Sequence, residues 1–327
     1  MEINFFNDND NDKSWNKFLI ENNGNFLQSF EWGKFQRDFS KKIFRIEIKE
    51  KQKILLRAQV IQKKISFKTY LYIPYGPVFN KNVSSEQKHK IFDFFLIKIQ
   101  NLLQKEKPVF LRIEPLNNLP SQSKFHFQKL LKRIQPQKTL ILDLEKTKDE
   151  IFNDFNKKTR YNIRLAQKKE VKIKILSDYS DAFYRLMEKT KKRQGFRSHS
   201  EIYYKKILRI DSKDFKTNLF LAEYKNNIIT ASIIFFFGKR AVSLHMASDY
   251  NYRALKAPDF LHWKKILFAK EKGYKEYDFW GIDEKKWPGI TYFKKGFGGK
   301  EIEYGQAQDI IFQNYSYKIY SILRKLK

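Results

Sequence analysis

The chain has no cysteine among its 327 residues. This absence excludes disulfides, thiolate ligands for metals and a cysteine nucleophile, and it fits a reducing cytoplasm. Long apolar runs are also missing, and none approaches the ~18–20 residues that span a bilayer. Residues 1–12 are acidic and rich in asparagine, which is not the pattern of a signal peptide. We therefore expect a soluble, cytoplasmic protein.

Several motifs of common enzyme classes are missing as well. There is no phosphate-binding loop of the Gly-x-x-x-x-Gly-Lys type, no Gly-x-Gly-x-x-Gly fingerprint and no Gly-x-Ser-x-Gly elbow. None of the histidines has the spacing of a metal-ligand pair; they are His89, His126, His199, His245 and His262. The sequence therefore predicts no metal, no cofactor and a reaction that needs little acid–base machinery.

Positive charge is the strongest feature that is present. Lys and Arg number 66 against 36 Asp and Glu, which gives a net charge of +30. Such an excess attracts polyanions such as tRNA, nucleotide diphosphates or an anionic membrane surface. The alternative is a lysine-rich composition inherited from a coding sequence rich in A and T. The distribution of the charge over the surface decides between these interpretations.

Length and hydrophobic patterning indicate two mixed α/β domains. In the first half, strands are predicted at 43–49, 54–63, 71–73, 109–113 and 139–144, with a helix at 85–103. In the second half, helices are predicted at 151–169, 179–193, 201–210 and 258–272, and strands at 172–176, 219–224, 228–237, 240–248 and 276–279. An amphipathic helix at 314–327 is expected to fold back onto the first half. The order of elements in the second half resembles acetyltransferase-like domains.

The late segment of the chain holds the most informative pattern. A short apolar run at 277–283 ends in Gly and Asp, and residues 289–299 then combine an aromatic–lysine pair with several glycines. The first part is also typical of an ordinary strand and its exit. We interpret the second part as a glycine-rich turn that presents Phe293 for stacking and Lys294 as a fixed cation. Such an arrangement suits an anionic or carbonyl substrate.

Two further basic features are candidates for phosphate contact. Arg160, Arg164 and Lys168 share one face of a predicted helix, where they repel one another unless an anion compensates. Arg197 precedes a predicted helix start, and its forked guanidinium suits bidentate contact with a diphosphate. The alternatives are a solvated basic face for the helix and a surface salt bridge for Arg197.

Taken together, the motifs resemble the FemABX family, the non-ribosomal aminoacyl transferases that build peptidoglycan cross-bridges. The matching pieces follow the family order across nearly the whole chain: Gln28-Ser29 with Trp32-Gly33-Lys34, Tyr75 to Val78, Leu111 to Pro115, Arg160 to Lys169, Gly195-Phe196-Arg197, Trp280-Gly281-Ile282, and Phe293-Lys294 with Phe297-Gly298. The resemblance implies an α/β fold of two acetyltransferase-like (GNAT-type) domains packed side by side, with a substrate cleft between them and no coiled-coil arm. Residues 1–147 with 314–327 would bind the muramyl peptide, and residues 148–313 would bind the aminoacyl-tRNA end.

The implied reaction joins two substrates. The stem-peptide amine of a UDP-linked or lipid-linked muramyl-peptide precursor attacks the ester carbonyl of an aminoacyl-tRNA. Because the ester is already activated, positioning the amine and stabilising the oxyanion could supply much of the catalysis. Peripheral contact with an anionic membrane and a monomeric state are further expectations. The alternatives are an acyl-CoA-dependent N-acyltransferase of the same fold and a non-catalytic module that binds tRNA or a membrane surface.

The resemblance also assigns roles by matching position. Lys294 stabilises the oxyanion or the tRNA end, with Phe293 stacking beside it. Lys34 and Arg197 hold the diphosphate of the precursor, and Tyr203 lies near that group, although Tyr204 is an alternative. Glu114 takes the place of a family aspartate that orients the acceptor peptide.

The remaining assignments concern the walls of the site and the nucleic acid. Trp32 and His245 complete the substrate-binding set, and His245 stands beside Met246, where the family often has a tyrosine. The expected tRNA contacts are Arg160, Arg164, Lys168 and Lys295.

Overall fold

A computed structural model describes residues 1–6, 12–66, 68–102, 104–120, 125, 127–130 and 133–325. His126, position 103 of the predicted helix at 85–103, and the last two residues of the predicted helix at 314–327 lie outside this part of the chain. The chain forms two compact units: unit 1 comprises Met1–Gln137 with Tyr304–Lys327, and unit 2 comprises Lys138–Glu303.

Strands and helices alternate along the described residues. The strands are β1 Glu2–Phe6, β2 Ile43–Glu50, β3 Lys53–Lys64, β4 Thr69–Pro74, β5 Val78–Phe79, β6 Phe110–Glu114, β7 Phe127–Lys129, β8 Lys138–Asp143, β9 Lys172–Leu176, β10 Phe215–Tyr224, β11 Asn227–Phe237, β12 Arg240–Ser248, β13 Glu276–Asp278, β14 Lys300–Glu303 and β15 Gln308–Ile311. The helices are α1 Asp12–Glu21, α2 Phe30–Arg37, α3 Ser85–Leu102, α4 Lys148–Asp154, α5 Lys157–Lys168, α6 Asp181–Gln194, α7 Glu201–Ile207, α8 Ala257–Glu271, α9 Pro288–Lys295 and α10 Asn314–Lys325.

Unit 1 is built on a sheet with the strand order β1-β2-β3-β4-β6-β15-β7, and β5 pairs with β3 beside that path. β4 and β6 are parallel, as expected for strands joined through a helix, here α3. The apolar face of α3 packs into a core of aliphatic strand residues; it presents Ile91, Phe92, Phe95, Leu96 and Ile99. The late strand β15 pairs with β6 and β7, and therefore anchors the end of the chain in this unit.

Helix α10 belongs to unit 1 and covers a small aromatic cluster. The Tyr317 ring meets the Phe110 ring edge to face, with centroids 5.2 Å apart, and the Tyr320 ring lies 4.8 Å from that of Phe110. Each such pair adds on the order of 0.5–1.5 kcal/mol beyond the area that it buries. No helix in the described residues is long and apolar enough to cross a membrane.

Unit 2 is built on a sheet with the order β14-β8-β13-β12-β11-β10-β9. β10, β11 and β12 form an antiparallel meander, and β12 then runs parallel to β13, to which it is joined through α8. The core of this unit combines residues from α4, α5 and α8 with the sheet; Phe155, Trp263 and Phe297 meet at its centre through edge-to-face contacts. The end of β13 lies beside these helices and positions the site described below.

Strand pairing sets the bounds of the two units. The sequence-based division changed domain after residue 147 and returned at residue 314, whereas the compact units change after Gln137 and return at Tyr304. The difference arises because β8 pairs with β13 and β14 of unit 2, and because β15 pairs with β6 and β7 of unit 1. These pairings join residues far apart in sequence, so local patterning does not reveal them.

The predicted helix at 151–169 is wrong as a single element. Residues 148–168 form two helices, α4 and α5, separated at Phe155 and Asn156. Thr147 and Glu150 form a capping box at the start of α4, and the Asn156 side chain accepts a hydrogen bond from the Thr159 amide at the start of α5. The chain therefore carries a second helix-start signal inside the apolar pattern.

Candidate active site

Unit 2 contains a cavity of about 620 Å³ at the end of β13 and the start of α8. Its wall includes Ser243 from β12, His262 from α8, and Phe293 and Lys294 from α9. Trp287 and Ile290 form an apolar rim in which each side chain is about 41% exposed. An apolar cavity with a few convergent polar groups is the usual form of a small-molecule or cofactor site.

The aromatic–lysine pair lies on a helix, so the prediction of a glycine-rich turn at this point is wrong. Phe293 and Lys294 occupy the last turn of α9, which runs from Pro288 to Lys295. Gly296, directly after the helix, also has a right-handed helical conformation. Among the glycines at 289–299, Gly298 and Gly299 have positive φ, at 70° and 92°, and both lie beyond the helix. Pro at a helix start and Gly at its end are the expected boundary residues.

Lys294 is held by two consecutive backbone carbonyls. Its Nζ donates to Gly281 O at 2.7 Å and to Trp280 O at 3.1 Å. The two carbonyls converge because Trp280 adopts a left-handed conformation, with φ 60°, directly after β13. Burial lowers the pKa of Lys294 to about 8, although the charge of Asp278 acts in the opposite direction. The ammonium is therefore still the major form at neutral pH.

Asp278 supports the turn that carries these carbonyls. The side chain is fully buried, and its Oδ1 accepts hydrogen bonds from the Trp280 amide at 2.7 Å and from Thr139 Oγ1 at 2.5 Å. Burial raises the pKa of Asp278 in spite of Arg240, whose Nη1 lies 3.9 Å from Oδ2. The sequence motif at 277–283 thus forms a structural turn that aims two carbonyls at Lys294.

A buried polar chain next to the cavity was missed by the sequence analysis. His262 Nδ1 lies 2.9 Å from the Tyr277 hydroxyl, and Ser243 is a further neighbour of this hydroxyl. Lys265 Nζ donates to Ser243 Oγ at 2.6 Å and to Ser232 Oγ at 2.8 Å, and this lysine is 0% exposed. The available signal was a lysine in the middle of the apolar face of the predicted helix at 258–272.

Two of the predicted substrate-binding residues lie together in a cluster of rings. Tyr203 on α7 and His245 on β12 meet edge to face at 5.9 Å, and the His199 ring stacks on Tyr203 at 3.8 Å. Tyr204, the alternative to Tyr203, is buried and also contacts His245. Burial lowers the pKa of His245 to about 3, so this ring is neutral at physiological pH.

Arg197 is exposed in the loop before α7, and among the described residues it makes no hydrogen bond or ion pair. It follows Gly195, whose left-handed conformation ends α6. The guanidinium is therefore available to a ligand.

The four residues predicted to contact tRNA have different environments. Arg164 and Lys168 are exposed on α5, with Arg164 over the Phe152 ring. Arg160 instead donates to the carbonyls of Asn153 and Phe155 and so closes the end of α4. Lys295 pairs with Glu284 and Glu301, and these carboxylates raise its pKa. Only Arg164 and Lys168 of this set present uncompensated charge to the solvent.

The remaining predicted residues belong to unit 1. Lys34 is exposed on α2, with Nζ 4.8 Å from the centroid of the Phe30 ring. Trp32 is only 7% exposed and packs against Phe26 and Phe35, so its side chain belongs to the buried face of α2.

Glu114 has a buried structural environment. The side chain is 0% exposed and accepts hydrogen bonds from Tyr72 Oη at 2.7 Å, from the Ile134 amide at 2.6 Å and from the Gln135 amide at 2.8 Å. Its carboxylate therefore fixes the segment at 134–135 against the end of β6. All of these contacts are internal to unit 1.

We predict that Glu114→Ala destabilises the protein. The substitution leaves the buried Tyr72 hydroxyl and two partly buried amides without this acceptor. A buried unsatisfied group costs about 1–3 kcal/mol and a partly buried one less, so a loss of about 2–4 kcal/mol is expected. Glu114→Gln retains one acceptor oxygen and should lose less. Urea denaturation of both variants tests this order. Equal stability of Glu114→Ala and the parent chain would contradict the structural role.

Comparison with solved structures identifies the class of fold. The chain superposes on the crystal structure of FemX with a TM-score of 0.80 at 19% identity, over 98% of this chain and 99% of that one. It also matches a tandem GNAT protein from the clavulanic acid biosynthesis pathway, with a TM-score of 0.58 at 9% identity over 95% and 98% of the two chains. The predicted α/β fold of two acetyltransferase-like domains is thus confirmed.

Sequence comparison then identifies the family. The FemAB family model matches residues 11–129, 124–216 and 209–325. The chain is 23% identical over 365 residues to the lipid II:glycine glycyltransferase of Staphylococcus haemolyticus. The alignment covers 84% of this chain and 85% of the relative. The protein of the same name from Staphylococcus epidermidis is 23% identical over 359 residues, with the same coverage. The chain belongs to the FemAB family and is an aminoacyltransferase.

Proposed function

We propose that this protein transfers an amino acid from aminoacyl-tRNA to the stem-peptide amine of a lipid-linked peptidoglycan precursor. The acceptor is suggested by the relatives, which are named lipid II:glycine glycyltransferases. A UDP-linked precursor has the same muramyl peptide and diphosphate, and therefore is the second acceptor to test. The observation that carries the proposal is Lys294, a cation that two backbone carbonyls hold in the wall of the cavity.

The chemistry of the proposed step matches this arrangement. Attack of an amine on an ester carbonyl places negative charge on the carbonyl oxygen. A cation positioned in advance in a poorly solvated site stabilises that charge without reorganisation, an effect of about 10²–10³ in rate for a single donor. The two backbone carbonyls fix Lys294 Nζ through two of its three protons, so the third is left for the oxyanion.

The exposed cations supply a plausible mode of substrate binding. Arg197 has a free forked guanidinium for the diphosphate of the precursor. Tyr203, which comes later in the sequence, lies in the cluster of rings that it forms with His199 and His245. Arg164 and Lys168 present charge for the tRNA backbone, a contribution that should weaken with added salt. The same positive surface would favour the anionic membrane that holds a lipid-linked acceptor.

A transfer assay tests the proposal. Purified protein is incubated with tRNA charged with radiolabelled glycine, alanine, serine or lysine, and with lipid-linked or UDP-linked muramyl pentapeptide. We expect one labelled amino acid to appear on the stem peptide. Transfer from an aminoacyl-CoA or acetyl-CoA but from no charged tRNA would overturn the proposed donor. Absence of product with every donor would reject the proposal as a whole.

A further inference from the structure

The polar chain beside the cavity runs from its wall into the centre of unit 2. His262 lines the cavity and contacts Tyr277 through Nδ1 at 2.9 Å. Ser243 neighbours the Tyr277 hydroxyl, and Ser243 Oγ lies 2.6 Å from Lys265 Nζ. His262 is 2% exposed, Tyr277 and Lys265 are 0% exposed, and Ser243 is 6% exposed. Two hydrogen bonds, joined by the neighbouring side chains of Tyr277 and Ser243, thus lead from a ring at the cavity to an amine in the core.

Each member of the chain can both give and receive a proton. A hydroxyl donates one hydrogen bond and accepts others, and a neutral imidazole donates at one nitrogen and accepts at the other. Because His262 Nδ1 is hydrogen-bonded to the Tyr277 hydroxyl, His262 Nε2 is the nitrogen that can contact a group in the cavity. The hydrogen bonds of His262 with Tyr277 and of Ser243 with Lys265 can therefore each reverse direction, and a proton that crosses between Tyr277 and Ser243 would link the two reversals.

The charges around Lys265 explain why its amine can act as a proton acceptor. It contacts Ser232 on β11 and Ser243 on β12, and among the described residues no carboxylate pairs with it. Burial lowers the pKa of Lys265 well below its usual value, and the positive charge of Lys294 on α9 acts in the same direction. An amine that is buried without a counter-ion favours its neutral form.

Burial and nearby amines also act on His262. Burial lowers the pKa of His262 well below its usual range, a proton on Lys265 of its own helix would lower it further, and the charge of Lys294 on α9 acts in the same direction. Its other neighbours are the rings of Tyr277, Phe279, Phe293 and Phe297. An isolated His262 would thus be a weak base, and it needs a group behind it to take the proton onward.

From this geometry we infer that His262, Tyr277, Ser243 and Lys265 form a proton relay that takes the proton from the attacking amine and stores it on Lys265. The inference rests on the function proposed above. In the resting state Lys265 is neutral and accepts a hydrogen bond from Ser243, Ser243 accepts from Tyr277, and Tyr277 accepts from His262 Nδ1. His262 Nε2 then presents its lone pair to the cavity.

The relay balances over one turnover. The amine forms its bond to the ester carbon and gives one proton to Nε2, while the Nδ1 proton passes to Tyr277, the Tyr277 proton to Ser243, and the Ser243 proton to Lys265. When the carbon–oxygen bond of the ester breaks, the leaving alkoxide takes a proton back from Nε2 and the chain returns to its first direction. The products are an amide and an alcohol, and no proton is gained or lost. His262 is the catalytic residue, and the other three are positioning and relay residues.

Tyr277→Phe is the central variant of the test, because it removes one hydroxyl from the relay and keeps the ring in the core. Ser232→Ala is the matched control, since Ser232 also contacts Lys265 but lies outside the relay. We expect kcat to fall by about 10²-fold or more in Tyr277→Phe and in His262→Asn, and by less than about threefold in Ser232→Ala. KM for both substrates should change little. Under single-turnover conditions, the solvent deuterium isotope effect on the rate constant of transfer should be larger in the parent chain than in Tyr277→Phe.

Lys265→Met provides a readout that does not depend on activity. Because the folded protein lowers the pKa of Lys265, the unfolded chain binds more protons below pH ~10.4, and the buried amine costs stability there. Lys265→Met should therefore raise Tm by several degrees at pH 7 while lowering kcat, and the gain in Tm should shrink as the pH rises towards ~10.4 and be absent above it. A variant that is both less active and less stable at pH 7 would count against the relay.

The outcomes separate this inference from the proposed function. If the parent chain transfers no amino acid from any donor, both the proposed function and the relay are wrong. If the parent chain is active and Tyr277→Phe keeps its rate and isotope effect, the relay alone is wrong. If Ser232→Ala loses as much activity as Tyr277→Phe, the chain has only a packing role, and the relay is likewise rejected.

Discussion

Replacing Lys294 by Met should lower kcat by about 10²–10³-fold, which corresponds to ~2.7–4 kcal/mol of transition-state stabilisation. The reason is the position of the ammonium, which two backbone carbonyls hold in the wall of a cavity with an apolar rim. Methionine has a similar length and fills the same space without charge. Single-turnover transfer from aminoacyl-tRNA measures the loss directly, because product release does not contribute.

The fold should survive this substitution. Burial lowers the pKa of Lys294 to about 8 from the ordinary lysine value, so below pH 8 the charged side chain costs folding free energy. That cost disappears above the pKa of the unfolded chain, ~10.4. Lys294→Met should therefore have a Tm within a few degrees of the parent chain at pH 7. Lys300→Met, on exposed β14, is the control for loss of a lysine charge and should keep full activity.

The pH profile gives the same prediction a second test. If the ammonium is the active form, a pKa of about 8 leaves roughly nine-tenths of Lys294 charged at pH 7 and about one-tenth at pH 9. The contribution of Lys294 to kcat should fall through this range as the pH rises. Lys294→Arg keeps its charge throughout, so its profile lacks this fall, whatever its absolute rate. Identical profiles for the parent chain and Lys294→Arg would refute the charge-based role.

Local patterning predicted much of the secondary structure. The strand at Arg240–Ser248 was predicted with the observed bounds, and the strands of the meander were predicted within a few residues, because apolar runs broken by turn residues leave few alternatives. The late helix α9 was missed for the opposite reason. Gly289 and Gly296 were interpreted as part of a glycine-rich turn, although Pro288 at the first helical position and Gly296 after the last are also helix boundary signals.

The candidate site could be predicted only in part. Lys294 and Phe293 were identified from a sequence motif, and they do lie in the cavity wall. The environment of Lys265 depends on Ser232 and Ser243, which come from strands 33 and 22 residues away. Likewise, the partners of Glu114 are amides at 134 and 135, beyond a connection without a clear pattern. Such contacts follow from strand pairing, which local periodicity does not determine.

Asp309→Ala should destabilise the protein by about 3–5 kcal/mol, the usual cost of leaving one partner of a buried ion pair uncompensated. Arg112 on β6 donates to Asp309 on β15 through Nε at 2.8 Å and through Nη2 at 2.7 Å. The Tyr317 hydroxyl on α10 donates to the same carboxylate at 2.9 Å. Arg112 is 2% exposed and Asp309 is 0% exposed, so water cannot replace the lost acceptor. This carboxylate therefore links β15 to β6 and α10 within unit 1.

A double variant separates the uncompensated charge from lost packing. Burial lowers the pKa of Arg112, whereas hydrogen bonding to Asp309 and the charge of that carboxylate raise it. Arginine is not deprotonated in proteins near neutral pH, so the guanidinium stays charged when its partner is removed. Replacing both residues, as Arg112→Met with Asp309→Leu, removes the charge as well and should recover most of the stability. Glu86→Gln, which breaks the exposed pair with Lys90 on α3, is the control and should cost less than about 0.5 kcal/mol. Urea denaturation gives all four free energies of unfolding, and a double variant as unstable as Asp309→Ala would show that packing and not charge sets the loss.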